Sequence, residues 1–112
     1  MNNIENSNSV FESIKHLDES GREFWYAREL QIVLEYKLWQ NFEKVLKRAI
    51  ISCNNSKNNS LYHFIDINKM VDISSNTTRK IEDYKLSRYA CYLIAQNGDS
   101  RKKVIAREYM IL

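Results

Sequence analysis

The side chains best suited to chemistry with another molecule are the cations in the second half of the chain. Residues 36–112 contain fourteen basic and seven acidic side chains, whereas residues 1–35 contain three basic and seven acidic. Such asymmetry favours a polyanionic partner, of which nucleic acid is the main example. The cations that we expect to contact DNA, either single-stranded or duplex, are Lys44, Lys47, Arg48, Lys85, Arg88, Arg101, Lys102 and Lys103. The alternative is that they form only the solvated faces of helices.

Arg101, Lys102 and Lys103 stand where a helix is expected to begin. We expect Gly98 to end the preceding helix in the left-handed conformation and Asp99 to cap the next one. Cations at a helix N-terminus oppose the helix dipole, at a cost of about 0.3–1 kcal/mol each at exposed sites. The cluster is therefore either a phosphate site assisted by free helix N–H groups, or a solvated turn whose cost Asp99 offsets.

Arg88 and the aromatic side chains leave alternatives open. Arg88 lies on the polar side of its helix, where it either pairs with Glu82 or Asp83 or contacts a phosphate. Aromatic residues such as Tyr26 or Tyr89 could stack on unpaired bases. The apolar spacing around most of them, however, indicates the hydrophobic core.

Groups suited to catalysis or metal binding are scarce. His16 and His63 lie far apart in the sequence, and neither accompanies a Ser or Cys in a nucleophile motif. Glu82 and Asp83 are neighbours, and neighbours on a strand point to opposite faces. We therefore expect no enzymatic activity, no metal and no cofactor.

The elements that must position these residues predict an α+β fold. We expect one small domain over residues 10–112, preceded by a flexible tail at residues 1–9. Its hydrophobic spacing predicts about five helices and a small antiparallel sheet of two to three strands. The expected helices cover residues 10–17, 27–34, 39–53, 88–97 and 100 onward, and Ser87 is expected to cap the fourth. The expected strands cover 24–26, 64–67 and 79–84.

The cysteines and the hydropathy pattern indicate a cytoplasmic protein. Cys53 and Cys91 fall within apolar helical patterns, so we expect buried reduced thiols, with a Cys53–Cys91 disulfide as the alternative. No apolar run reaches the roughly 18–20 residues of a membrane span, so we expect no membrane partner.

Two stretches of the sequence resemble the Bro-N domain family. Residues 24–30 (FWYAREL), residues 34–36 (LEY) and the Trp39-x-x-Phe42 spacing are similar to the start of that domain. Residues 81–94 (IEDYKLSRYACYLI), with QNGD at 96–99 and Arg101-Lys102, resemble its DNA-damage-inducible bacterial members. With NKMV at 68–71, the resemblance covers most of residues 11–107.

The resemblance implies a small α+β domain that is associated with DNA and the SOS response. For the DNA-damage-inducible members it further implies negative control of a recombinase on single-stranded DNA. The alternative is a protein-interaction module that docks on a recombinase filament or forms a homodimer, or a phage antirepressor-like domain without direct DNA contact. These relatives are more than twice as long, with a helical C-terminal part, and we expect an acidic residue in them at the position of Lys103. They offer no established catalytic residue to carry over.

Overall fold

A computed structural model describes residues 10–99 and 101–102. The elements along this part of the chain are α1 (residues 10–13), β1 (His16–Leu17), β2 (Glu23–Tyr26), α2 (Ala27–Val33), α3 (Trp39–Asn55), α4 (Ser60–His63), β3 (Phe64–Ser74), β4 (Thr77–Leu86) and α5 (Arg88–Asn97). The predicted α+β class is confirmed. The predicted tail at residues 1–9 and the predicted helix after Asp99 lie outside the described residues.

The four strands form one antiparallel sheet in the order β1-β2-β4-β3. β2 pairs with β4 only through Trp25↔Leu86 and Tyr26↔Lys85. β3 pairs with β4 along their whole length, from Phe64↔Leu86 to Ser74↔Thr77. The hairpin that β3 and β4 form therefore extends well beyond its pairing with β2.

β1 is the strand that the sequence pattern did not predict. Residues 10–17 were expected to be one helix, but the helix ends at residue 13 and Leu17 is 64% exposed. The cause is a tight reversal, in which the Asp18 backbone N–H donates to the Arg22 carbonyl (2.9 Å) and Gly21 takes a φ of +80°. This reversal places His16 opposite Phe24, so residue 16 joins the sheet.

The core lies between one face of the sheet and helices α3 and α5. The buried positions of α3 are Phe42, Val45, Leu46, Ala49 and Cys53, as the predicted apolar stripe requires. These positions span about three helical turns, and they face α5, whose buried residues are Ala90, Cys91, Leu93, Ile94 and Ala95. Cys53 and Cys91 are both buried and are not joined by a disulfide, which agrees with the predicted reduced core thiols. Burial raises the pKa of the Cys53 thiol.

A short helix that was not predicted, α4, precedes β3. The Asn59 side chain accepts a hydrogen bond from the Leu61 backbone N–H at 3.0 Å, which is a helix cap. The extended backbone consequently begins at Phe64.

Two of the helix ends use left-handed residues that are not glycine. Glu35 after α2 has a φ of 62°, and Lys57 after α3 has a φ of 61°. In each case the next residue, Tyr36 or Asn58, donates its backbone N–H to a carbonyl five residues back, the pattern of a Schellman motif. Gly98 was predicted to be left-handed and is not, because its φ is −81°.

Candidate nucleic-acid interface

Three of the predicted cations line the exposed side of α3. Lys44, Lys47 and Arg48 are all exposed, on the side of the helix opposite its buried stripe. Lys47 lies 4.0 Å from Glu43 one turn away, which is a weak surface contact. Lys44 forms no ion pair with any residue that the structure describes. Lys44 is therefore the most available of the three for an external anion.

Arg48 connects α3 to the end of α5. Its Nη2 donates a hydrogen bond to the Asn97 carbonyl at 3.1 Å, which satisfies a carbonyl left open at the helix C-terminus. Arg101 follows Asn97 by four residues, a reach of at most about 14 Å. The cations of α3 and those at residues 101–102 therefore border the same end of α5.

Arg101 and Lys102 both interact with nearby parts of the chain. The Arg101 Nε and Nη2 atoms donate to the Asp99 carboxylate at 2.9 and 3.1 Å, although the Arg101 side chain is 90% exposed. These hydrogen bonds hold the pKa of Asp99 below its usual value. The Lys102 Nζ donates to the Glu35 carbonyl at 2.9 Å and lies 4.8 Å from the Tyr36 ring centroid.

The predicted cap at Asp99 has the expected local contacts. Its Oδ1 accepts the Arg101 backbone N–H at 3.0 Å, and its carbonyl accepts the Lys102 N–H at 3.0 Å. Lys103 and the predicted helix itself lie outside the described residues. The phosphate site at residues 101–103 stays a prediction.

Arg88 is at the other end of α5 and has different partners from those predicted. Its Nε donates to Glu23 at 2.9 Å and its Nη2 donates to Glu12 at 3.0 Å. The prediction of a pair with Glu82 or Asp83 is therefore wrong, since the α5 N-terminus faces β2 and α1 rather than the middle of β4. Hydrogen bonds from Arg88 lower the pKa of both glutamates, and Glu23 chiefly raises the pKa of Arg88.

Lys85 lies on the sheet, apart from the cations of α3. Its Nζ is 4.8 Å from the centroid of the Phe24 ring on the neighbouring strand. α5, of ten residues, spans about 15 Å between Arg88 at its start and the carbonyl that Arg48 binds. The predicted cations within the described residues therefore do not share one surface.

Glu82 and Asp83 diverge, as neighbours on a strand should. Glu82 accepts a hydrogen bond from the Tyr84 hydroxyl at 2.8 Å, and burial together with this bond raises the pKa of Tyr84. Asp83 is fully buried. Within residues 10–99 and 101–102, no group of three or more His, Cys, Asp or Glu side chains is placed to hold a metal ion, and no helix is long and apolar enough to cross a membrane.

Arg22 and Tyr62 are part of an arrangement that the sequence analysis missed. The Arg22 guanidinium carbon lies 5.0 Å from the Tyr62 ring centroid, beside the Lys85–Phe24 pair. Arg22 and Tyr62 are forty residues apart in sequence, so no local spacing joins them. The signal that could have pointed to it is strand alternation, which places Phe24 and Tyr26 on the face opposite to Trp25, the buried residue between them.

The comparisons with known proteins agree on the family. The family model described as the BRO family, N-terminal domain, matches residues 13–111. The chain is similar to DNA damage-inducible protein D of Escherichia coli strain K12, with 48% identity over 96 residues. That alignment covers 86% of this chain and 35% of the relative, so the chain spans about a third of the relative's length. No solved structure matches the chain significantly. These matches show that the chain belongs to the family of BRO N-terminal domains.

Proposed function

We propose that this domain is a non-enzymatic DNA-binding module of the DNA-damage response. It binds phosphate groups through a basic surface formed by Lys44, Lys47, Arg48, Arg101 and Lys102. The observation that carries the proposal is the contact of Arg48 with the Asn97 carbonyl, which joins the exposed cations of α3 to those that follow α5. The similarity to DNA damage-inducible protein D supports the link to DNA damage.

Salt dependence of binding tests this proposal. Five phosphate contacts should give a plot of log K against log salt concentration with a slope of about −4.5 on duplex DNA and about −3.5 on single strands. Fluorescence polarisation with labelled duplex and single-stranded oligonucleotides measures both slopes. Absence of binding to either oligonucleotide at about 50 mM salt would overturn the proposal.

Single-charge variants separate the basic surface from a general effect of net charge. Lys44→Gln should weaken binding and reduce the magnitude of the duplex slope by about 0.9, the contribution of one phosphate contact. Lys80→Gln is the matched control, because it removes the same charge from the exposed hairpin. Equal effects of the two changes would contradict a defined surface on α3.

A second candidate function is docking on a protein, such as a recombinase filament or a second copy of the domain. The observation that favours it is the hairpin of β3 and β4, where Met70 is 65% exposed and Ile73 is 59% exposed. β3 is also an edge strand, and edge strands pair readily with other chains. If the domain inhibits strand exchange without measurable affinity for DNA, and the Ile73→Lys variant no longer inhibits, docking is favoured over DNA binding.

A further inference from the structure

One face of the sheet, here called the outer face, points away from the core. The register places Phe24 and Tyr26 of β2, Ile65 and Lys69 of β3, and Arg79 and Lys85 of β4 on it. Their neighbours Trp25, Phe64 and Leu86 point the other way and are buried. Ile65 of the outer face is 44% exposed, so solvent reaches this part of the sheet.

Aromatic rings on and beside the outer face are paired with cations. The Lys85 Nζ lies 4.8 Å from the Phe24 centroid, and the Arg22 guanidinium lies 5.0 Å from the Tyr62 centroid. Tyr62 is 51% exposed. A ring beside a cation is the combination with which proteins hold single-stranded nucleic acid, because a base stacks on the ring while the cation meets the adjoining phosphate.

A small groove separates these two rings. It has a volume of about 60 Å³ and its lining includes Phe24, Tyr62, Ile65, Lys85 and Arg22. The groove thus combines apolar side chains with two cations. The acidic groups at the groove are Asp18, which accepts the backbone N–H groups of Ser20 and Arg22, and Glu23, which Arg88 neutralises.

The two faces of the hairpin differ in charge. The outer face carries Lys69, Arg79 and Lys85 against the single carboxylate of Asp83, which is buried and paired with Lys69. The opposite face carries Asp66, Asp72 and Glu82 against Lys80. An anionic strand is therefore attracted to the outer face and repelled from the opposite one.

We propose that the outer face binds single-stranded DNA, with an unpaired base stacked on Tyr62 and phosphates at Arg22, Lys85 and Arg79. The Phe24 ring is already stacked on the His16 ring, with centroids 5.4 Å apart, so it forms part of the groove wall. This inference rests on the proposed function for its class of ligand, but it uses a different surface from α3. Lys69 does not contact the strand, because its ammonium is bound between Asp83 and the Tyr26 ring. The basic surface on α3 contacts only phosphates, whereas the outer face requires unpaired bases.

Affinity measurements on the full chain test the inference. The probe is a fluorescent oligothymidylate of about twenty nucleotides, a length that covers the site of one small domain, with a duplex of equal length as comparison. Tyr62→Ala with Lys85→Gln should weaken binding of the single strand about tenfold or more and leave duplex binding within about twofold. Tyr62→Phe keeps the ring and should bind the single strand like the wild type.

Three results would overturn the inference. The first is an equal loss of affinity for single strand and duplex in the double variant. The second is a loss of single-strand affinity in Lys44→Gln but not in the double variant. The third is a loss in Tyr62→Phe equal to that in the double variant. If the wild type binds duplex but not the single strand, this inference fails and the proposed function stands. If it binds neither, both fail.

Photocrosslinking gives a readout that does not depend on variants. Oligothymidylate substituted with 5-iododeoxyuridine should crosslink to peptides that contain Tyr62, because the halogenated base reacts with the aromatic ring against which it stacks. Crosslinks confined to α3 would contradict the outer face as the site. Circular dichroism of each variant controls for loss of fold.

Discussion

The ammonium of Lys69 lies 2.8 Å from Oδ2 of the fully buried Asp83. The other oxygen of Asp83 accepts the backbone N–H groups of Arg28 and Tyr84 at 3.0 and 2.8 Å. Within the described residues no other group donates to Oδ2, so the ammonium is its charge partner. One carboxylate thus connects the start of α2, β4 and the projecting strand β3.

Loss of the ammonium should destabilise the domain, because it leaves a buried charge without compensation. Fully buried pairs lose about 3–5 kcal/mol when one partner is removed. Since the Lys69 side chain is 33% exposed, we expect Lys69→Met to lower the free energy of unfolding by about 2 kcal/mol. Urea denaturation followed by tryptophan fluorescence measures the change. Adding Asp83→Asn should recover part of the loss, and a double variant no more stable than Lys69→Met would contradict the pairing.

Arg88 should stabilise the domain only above the acid range. Its hydrogen bonds hold the pKa of Glu12 and Glu23 below 4.5. A carboxylate whose folded-state pKa is depressed contributes stability above its unfolded pKa and loses it as the pH falls through the folded one. Arg88→Gln should therefore cost about 1–2 kcal/mol at neutral pH.

That cost should shrink as the pH falls below 4.5, the ordinary pKa of both glutamates. Urea unfolding of the wild type and Arg88→Gln across this pH range gives the comparison. Lys15→Gln is a suitable control. Lys15 pairs with Glu12 alone, at 3.2 Å, whereas Arg88 contacts both glutamates, so the Lys15 change should have a smaller effect. A difference between wild type and Arg88→Gln that does not vary with pH would rule out the glutamates as its source.

Ser87 caps α5 and also fixes a histidine. Its Oγ accepts the Ala90 backbone N–H at 3.0 Å and is hydrogen-bonded to the His63 Nδ1 at 2.6 Å. Replacing an N-cap serine by alanine costs about 1 kcal/mol, so Ser87→Ala should lower the free energy of unfolding by at least that amount. Ser87→Thr retains the hydroxyl and should keep most of the stability in a thermal or urea melt. Equal losses in both variants would point to packing rather than the cap.

Lys57 offers a change that should stabilise the domain. It holds a left-handed φ of 61° at the end of α3, and left-handed backbone costs L-residues about 1–2 kcal/mol, whereas glycine adopts it freely. We expect Lys57→Gly to raise the free energy of unfolding by about 0.5–1 kcal/mol after the extra chain entropy of glycine is counted. Lys57→Ala removes the same side chain without relieving the backbone, so it should give no gain. A gain equal in both variants would assign the effect to charge instead.

The helices and strands whose signals are local were predictable from the sequence. The three- and four-residue spacing in α3 marks its buried stripe, and the serine before α5 marks its start, because both depend on neighbours within one or two turns. The aromatic run at Phe24–Tyr26 likewise predicted a strand correctly. Failures occurred where longer-range contacts decide: His16 joins the sheet through Phe24, and α5 ends where Arg48 of α3 donates to the Asn97 carbonyl, with Gly98 extended rather than left-handed.

The candidate cations show the same division. That Lys44, Lys47 and Arg48 lie together follows from helix periodicity alone. The hydrogen bonds of Arg88 to Glu12 and Glu23 could not be predicted in this way, because these partners are 76 and 65 residues away in sequence. Helix periodicity showed which cations lie together, but it could not show which of those charges are already paired within the chain.

By itself the sequence determined the family, the α+β class, the amphipathic helices and the excess of cations in its second half, because composition, periodicity and motif are all local properties of the chain. Only the tertiary structure decided how those cations divide. It placed Arg48 beside the end of α5 and paired Arg88 with Glu23. It also placed Lys85 and Arg22 against aromatic rings from other segments. The physical reason is that a side chain's partners depend on strand register and helix packing, which bring together residues that sequence spacing does not relate.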